Sequence, residues 1–347
     1  MPLPFFLIAG AILAGSTGIG AGVAGACEMA DASKSMKEAQ KRDERNLQRL
    51  KKDESKTSSS MDKLGKQELE TLSGFKEFSD LFERIKNKPK FANIIIDGLK
   101  LPEYNHKEME KISVGASALV SGLGGALLGT AGGFAASGAT TAAVMALGTA
   151  STGTAISTLS GAAATNATLA ALGGGSIAAG GGGIALGTTV LGAATAGVGL
   201  LVGGVIFCIA GSSVSKKADT CVNQVNENEK KINRICDYLN RLNDVCNDYY
   251  RVFARVNNVY INELAKMRLM IFRRAGLVGN VSWHDLSDEE KLCVQNTVML
   301  VGVLFNMCKV KLVIPATRKD DLNSINYIDI GKARRDGEAC LKHFEAA

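Results

Sequence analysis

The chain has 347 residues, 46% hydrophobic and 21% charged, with a formal charge of +6. That balance excludes a disordered or collagen-like chain. The 40 basic and 34 acidic residues are interleaved without a basic block, so no nucleic-acid partner is expected.

The N-terminal segment, residues 1–27, has no charged side chain from Pro2 to Cys27. It lacks the basic start of a secretory signal and reads as a retained membrane helix. Gly10, Ala14, Gly18, Gly22 and Ala26 recur every four residues, so Gly18 and Gly22 lie on one helix face open to close packing. Lys34, Lys37, Lys41, Arg42 and Arg45 follow, which places that side in the cytoplasm by the positive-inside rule.

Residues 28–111 read as an amphipathic helical region. Met61, Leu64, Leu72, Phe75, Phe82 and Ile85 sit at three- and four-residue steps among Lys and Glu, and Lys88-Pro89-Lys90 ends the helix. A short apolar piece, Phe91 to Leu101, leads on through Pro102.

Residues 112–215 form the central anomaly. From Ile112 to Ser215 there are 104 consecutive residues without Asp, Glu, Lys, Arg or His, and 25 of the 39 glycines fall here. A water-soluble domain of this length carries roughly a quarter charged residues. A bilayer span takes about 20 apolar residues, which leaves room for two to four spans. Lysines flank both ends (Lys107 and Lys111, then Lys216 and Lys217), so both ends face the cytoplasm and the span number is even. Ser121, Gly125, Gly129, Gly133 and Ser137 make one four-residue ladder, and Gly175, Ala179, Gly183 and Gly187 a second. We read Gly125, Gly129, Gly133, Gly183 and Gly187 as helix-packing residues, because helices in lipid associate through such close contact. Between the two arms, about 112–147 and 176–211, lies a hydroxyl-rich section. Thr149, Ser151, Thr152, Thr154, Thr165, Asn166 and Thr168 are its candidate pore lining.

Residues 216–275 hold the most regular periodicity. Ile232, Ile235, Leu239, Leu242, Cys246, Tyr249, Phe253, Val256 and Tyr260 alternate steps of three and four, break at Glu263 and resume at Met267 and Met270. This predicts a long heptad helix, packed most simply against the 31–88 region. In the C-terminal region, 276–347, Ser287 and Glu290 have capping-box spacing and start a helix through Val310 that ends by Pro315. After Thr317 the pattern is mixed.

Sites for chemistry are absent from the pattern. There is no phosphate loop, no H-E-x-x-H and no nucleophile elbow. His106, His284 and His343 are scattered, and the eight cysteines include no C-x-x-C or zinc spacing. The cysteines read as small apolar residues on helix faces, suited to a reducing compartment. The Asp and Glu of the helical regions read as solvated helix faces. No enzyme, cofactor, metal or small-molecule substrate is therefore expected.

The run Ser151-Thr152-Gly153-Thr154-Ala155-Ile156, then Ser160 to Ala170, then Leu172 to Gly183, resembles the glycine-zipper segment of a widespread group of poorly characterised bacterial membrane proteins. The apolar start from Pro4 and Asp62-Lys63-Leu64-Gly65 are also similar to that group. In the order of its elements the chain is more distantly similar to apolipoprotein L proteins and α-helical pore-forming toxins. The resemblance implies no catalytic residues. Taken together, the expectation is an all-α protein, with long coiled-coil-like helical rods flanking a Gly/Ala-rich membrane hairpin. It would sit in a bacterial inner membrane with the rods on the cytoplasmic side, form a homo-oligomer through its glycine faces, and permeabilise or remodel the bilayer. The alternative is a membrane-anchored coiled-coil scaffold or sensor that does not conduct.

Overall fold

The computed structural model describes residues 23–91, 95–96, 99–100, 106–123, 214–314 and 322–346. This part is 86% helical, and the fold is all-α. In chain order come α1 (Val23–Glu83), β1 (Ile85–Lys86), β2 (Ile95–Ile96), β3 (Leu99–Lys100), α2 (His106–Leu123) and α3 (Val214–Ala275). They are followed by β4 (Val281–Ser282), a single 3-10 turn (Trp283–Asp285), α4 (Asp288–Lys309), β5 (Val313–Ile314), β6 (Ser324–Ile325) and α5 (Tyr327–Ala346).

The chain forms two compact units, residues 1–50 with 204–234 and residues 51–203 with 235–347. The first unit contains the early parts of α1 and α3. Arg42 donates to Asn226 Oδ1 at 2.6 Å, and Arg49 donates to Asn233. Both contacts join residues 184 apart, so the two helices advance together and run parallel. Ala39, Leu50, Val225 and Ile232 supply the buried apolar contacts.

In the second unit the later parts of α1 and α3 are again parallel. Thr57 Oγ1 donates to Leu239 O at 3.0 Å, and Thr71 Oγ1 to Asn257 Oδ1 at 3.0 Å. The helix ends are tied by a parallel β1–β4 pairing, with Ile85 opposite Val281. That pairing explains why α1 stops at Glu83, before Pro89: the chain leaves the helix to meet β4, and Asn87 takes a left-handed φ of 55°. The short apolar piece from Phe91 to Leu101 contains the short antiparallel β2–β3 pair.

The stripe from Ile232 to Tyr260 is buried throughout, as are Met267 and Met270. Each fully buried large apolar side chain contributes about 1.5–3 kcal/mol, so α3 is held by packing more than by its surface ion pairs. It ends where Gly276, at φ 63°, returns its N–H to Phe272 O at 2.9 Å, the left-handed cap that glycine adopts without strain.

α4 runs antiparallel to α3, since Tyr249 meets Met307 while Arg274 meets Glu290. Its capping box forms as expected: Ser287 Oγ accepts from the Glu290 N–H, and Glu290 accepts from the Ser287 N–H at 2.8 Å. Every residue from Asn296 to Phe305 is buried. An all-round apolar surface marks a central helix.

α5 was not legible in the mixed tail. Asn326 caps it, accepting from the Asp329 N–H at 3.3 Å and donating to the Asp329 carboxylate at 2.8 Å. α5 lies close on α3 at Gly337, where a Cβ would stand 2.9 Å from Val252 Cγ1.

Candidate functional site

The expected helix-packing residues Gly18, Gly22, Gly125, Gly129, Gly133, Gly183 and Gly187 lie outside the described residues. So do the expected pore-lining residues Thr149, Ser151, Thr152, Thr154, Thr165, Asn166 and Thr168. The beginning of the uncharged stretch is described, within α2. Ile112, Ser113, Gly115 and Ala116 are buried. Ser113 Oγ donates to Ser73 O at 2.6 Å and accepts from the Lys76 N–H at 3.2 Å. These first residues are thus held against α1 by the protein itself.

In the first unit, parallel pairing has a consequence for both uncharged segments. The described part of α1 opens at Val23, within the uncharged run Pro2–Cys27, and that of α3 at Val214, at the close of the run Ile112–Ser215. Because the helices are parallel, both starts lie at the same end of this unit. The pair is not fully satisfied: Arg42 Nε, Asn46 Nδ2 and Gln224 Oε1 are buried without a hydrogen-bond partner among the described residues. Each such group costs about 1–3 kcal/mol, which weakens this end of the pair.

The α1–α3 seam carries a polar ladder that the apolar periodicity did not disclose. In the first unit Asn226 and Asn233 receive Arg42 and Arg49. In the second, Asn240 donates to Asp53 Oδ2 at 3.2 Å, Asn247 donates to Ser60 Oγ at 3.3 Å, and Ser60 Oγ donates to Asn243 Oδ1 at 2.8 Å. Tyr250 OH adds a bond to Gln67 Oε1 at 3.3 Å. Asparagines 226, 233, 240 and 247 are seven apart, so the signal was present in the sequence as a second heptad track. Polar groups at such positions fix register at a cost in stability.

The most unusual single group is Glu68. The acidic residues of these helices were expected on solvated faces, and two are not: Glu68 is 1% exposed and Glu263 is 6% exposed. Glu263 has Lys266 at 2.6 Å. Glu68 Oε2 has no hydrogen-bond partner among the described residues. Burial holds its carboxyl well above the usual carboxylate range, because the charged form has lost water without gaining a cation. The surrounding groups are not counter-charges. Cys308 Sγ lies 4.0 Å from the Glu68 carbonyl, and Cys246 and Tyr249 lie near enough to feel its charge. Burial, with a smaller contribution from Glu68, pushes the Cys246 thiol up to about 12. Glu68 falls on the apolar stripe between Leu64 and Leu72, each four residues away, and that spacing was the available clue.

The thiols of this cluster, Cys246 and Cys308, are buried and held protonated by that burial, so they are poor nucleophiles. Among the described residues no group of three or more His, Cys, Asp or Glu is placed to hold a metal ion. Cys236, Cys246, Cys308 and Cys340 are buried.

Among the described residues one helix, α4, is long and apolar enough to cross a membrane by length and composition. A central bundle helix passes the same test, and 72% of the apolar window of α4 is buried inside the protein.

Fold and site define an all-helical protein with a polar-laced parallel helix pair and a buried carboxyl in its core. No family model, curated protein or solved structure matches the chain.

Proposed function

We propose that the protein is a membrane-inserting α-helical protein whose uncharged regions, 1–27 and 112–215, enter the bilayer and associate through glycine faces. In this reading Gly18 and Gly22, with Gly125, Gly129, Gly133, Gly183 and Gly187, bring helices into contact within a homo-oligomer. The hydroxyl run from Thr149 to Thr168 lines any polar path, and the assembly permeabilises or remodels the bilayer. The observation that carries the reading is the parallel pair of the first unit, which brings two helices out of two uncharged segments at one end. Membrane attachment at that end satisfies both segments at once. The basic residues from Lys34 to Arg45 support a cytoplasmic placement, and the resemblance to bacterial glycine-zipper proteins supports an inner membrane.

A second reading, an anchored scaffold that does not conduct, is favoured by one observation. At the start of the long uncharged stretch Ser113 is bonded to α1, and Ile112, Gly115 and Ala116 are buried beside it.

Dye-loaded liposomes separate the two. Protein with Gly129→Leu or Gly183→Leu is expected to lose leakage by about tenfold or more, the weight of ~1.4 kcal/mol in helix packing. Helicity of α1 and α3, read by far-UV circular dichroism, stays unchanged. Leakage and oligomer size equal to the parent in both variants would refute the glycine contacts. No leakage from the parent itself would leave the scaffold.

A further inference from the structure

α2 (His106–Leu123) straddles the border between the charged chain and the long uncharged stretch, which begins at Ile112. Met109, Ile112, Ser113 and Ala116 are buried, and their steps of three, one and three place them on one helix face. Glu110, Val114 and Ser117 between them are exposed, so α2 is a surface helix with one side turned in.

One hydroxyl stands among the apolar positions of that inner face. Ser113 is 1% exposed, and its Oγ donates to Ser73 O at 2.6 Å and accepts from the Lys76 N–H at 3.2 Å. Both partners are main-chain groups three residues apart within α1. Apolar contact alone tolerates sliding, whereas a hydroxyl bonded in both directions holds a single register. The second residue of the uncharged stretch is thereby pinned to a fixed point on α1.

The contact is also small. Among the described residues, Met109 and Ile112 are the large apolar side chains that α2 buries, whereas α3 buries the whole stripe from Ile232 to Tyr260. Burial stabilises in proportion to apolar area, so α2 undocks at a small fraction of the cost of opening α3. While α2 is docked, Ile112 and Ala116 are enclosed by the protein and not available to lipid.

We propose that α2 is a releasable latch, which holds the start of the uncharged stretch on α1 and must undock before residues 112–215 enter the bilayer. This regulation rests on the insertion reading given above.

The test reads α2 and the bilayer separately in the full chain. Amide hydrogen exchange without lipid is expected to speed up in α2 by about tenfold in Ser113→Ala, which removes two hydrogen bonds, and by about thirtyfold or more in Met109→Ala. Exchange in α3 and α4 stays at the parent rate. The initial rate of dye release from liposomes then rises in the same order, with the final extent unchanged. Val114→Ala, on the exposed face, changes neither readout. Exchange in α2 equal to the parent in both variants, or faster only together with α3 and α4, would overturn the latch. So would a loosened α2 with an unchanged rate of release, because the contact would then not gate entry. Absence of release from the parent and both variants, with α2 loosened as expected, would defeat the insertion reading itself and the latch with it. The exchange readout needs no membrane, so the two failures are distinguishable.

Discussion

Replacing Glu68 with leucine is expected to stabilise the second unit near pH 8 by at least about 1–3 kcal/mol, the cost of a buried polar group left without a partner. The gain depends on pH in a direction fixed by the raised carboxyl. The folded protein holds a proton on Glu68 that the unfolded chain releases near pH 4.5. Stability from this group is therefore fully present below that value, and is lost as pH rises toward the folded value. The loss is about 1.4 kcal/mol per pH unit within that window. The difference between Glu68→Leu and the parent should be small near pH 4.5 and widen steadily above it. Cys246 does not titrate there, since burial pushes its thiol up to about 12. Urea unfolding followed by Trp283, the single tryptophan of the chain, reads this unit directly. A parent whose stability relative to the variant is the same at pH 5 and pH 8 would show that Glu68 is not held as a neutral acid.

Tyr249 should give the largest loss. It is fully buried, and its hydroxyl donates to Met307 O at 2.9 Å, joining α3 to the last turn of α4. Tyr249→Ala removes the ring from a closed core and is expected to cost about 3–5 kcal/mol. Tyr249→Phe keeps the ring and removes one hydrogen bond, a loss of about 0.5–1.5 kcal/mol. Equal losses in the two variants, measured by thermal unfolding, would mean that the hydroxyl and not the packing holds α3 on α4.

These effects also show which parts of the molecule sequence pattern could reach. Period carried the helices. The stripe Ile232 to Tyr260 fixed the buried face of α3, and the Ser287–Glu290 pair placed the start of α4 at its observed cap. Pattern failed where a polar residue was assigned to solvent by type. Glu68 lies in step with Leu64 and Leu72 and is buried, while asparagines 226 to 247 lie in step with one another and bond across to α1. It failed again at α5, where Asn326 and Asp329 form a cap inside a stretch with no long apolar run. The β1–β4 pairing joins residues almost 200 positions apart, and no local signal encodes it. The proposed membrane residues are a different case, because composition alone speaks for them, through 104 residues without a charge.

The most direct measurement is flotation of the full chain with phospholipid vesicles through a density gradient after an alkaline carbonate wash, beside a variant lacking residues 124–211. Insertion of the uncharged stretch predicts that the full chain rises with the vesicles and resists the wash, while the shortened chain is released by it and keeps its helicity. A full chain that stays at the bottom of the gradient, or a shortened chain that resists the wash equally well, would contradict the account.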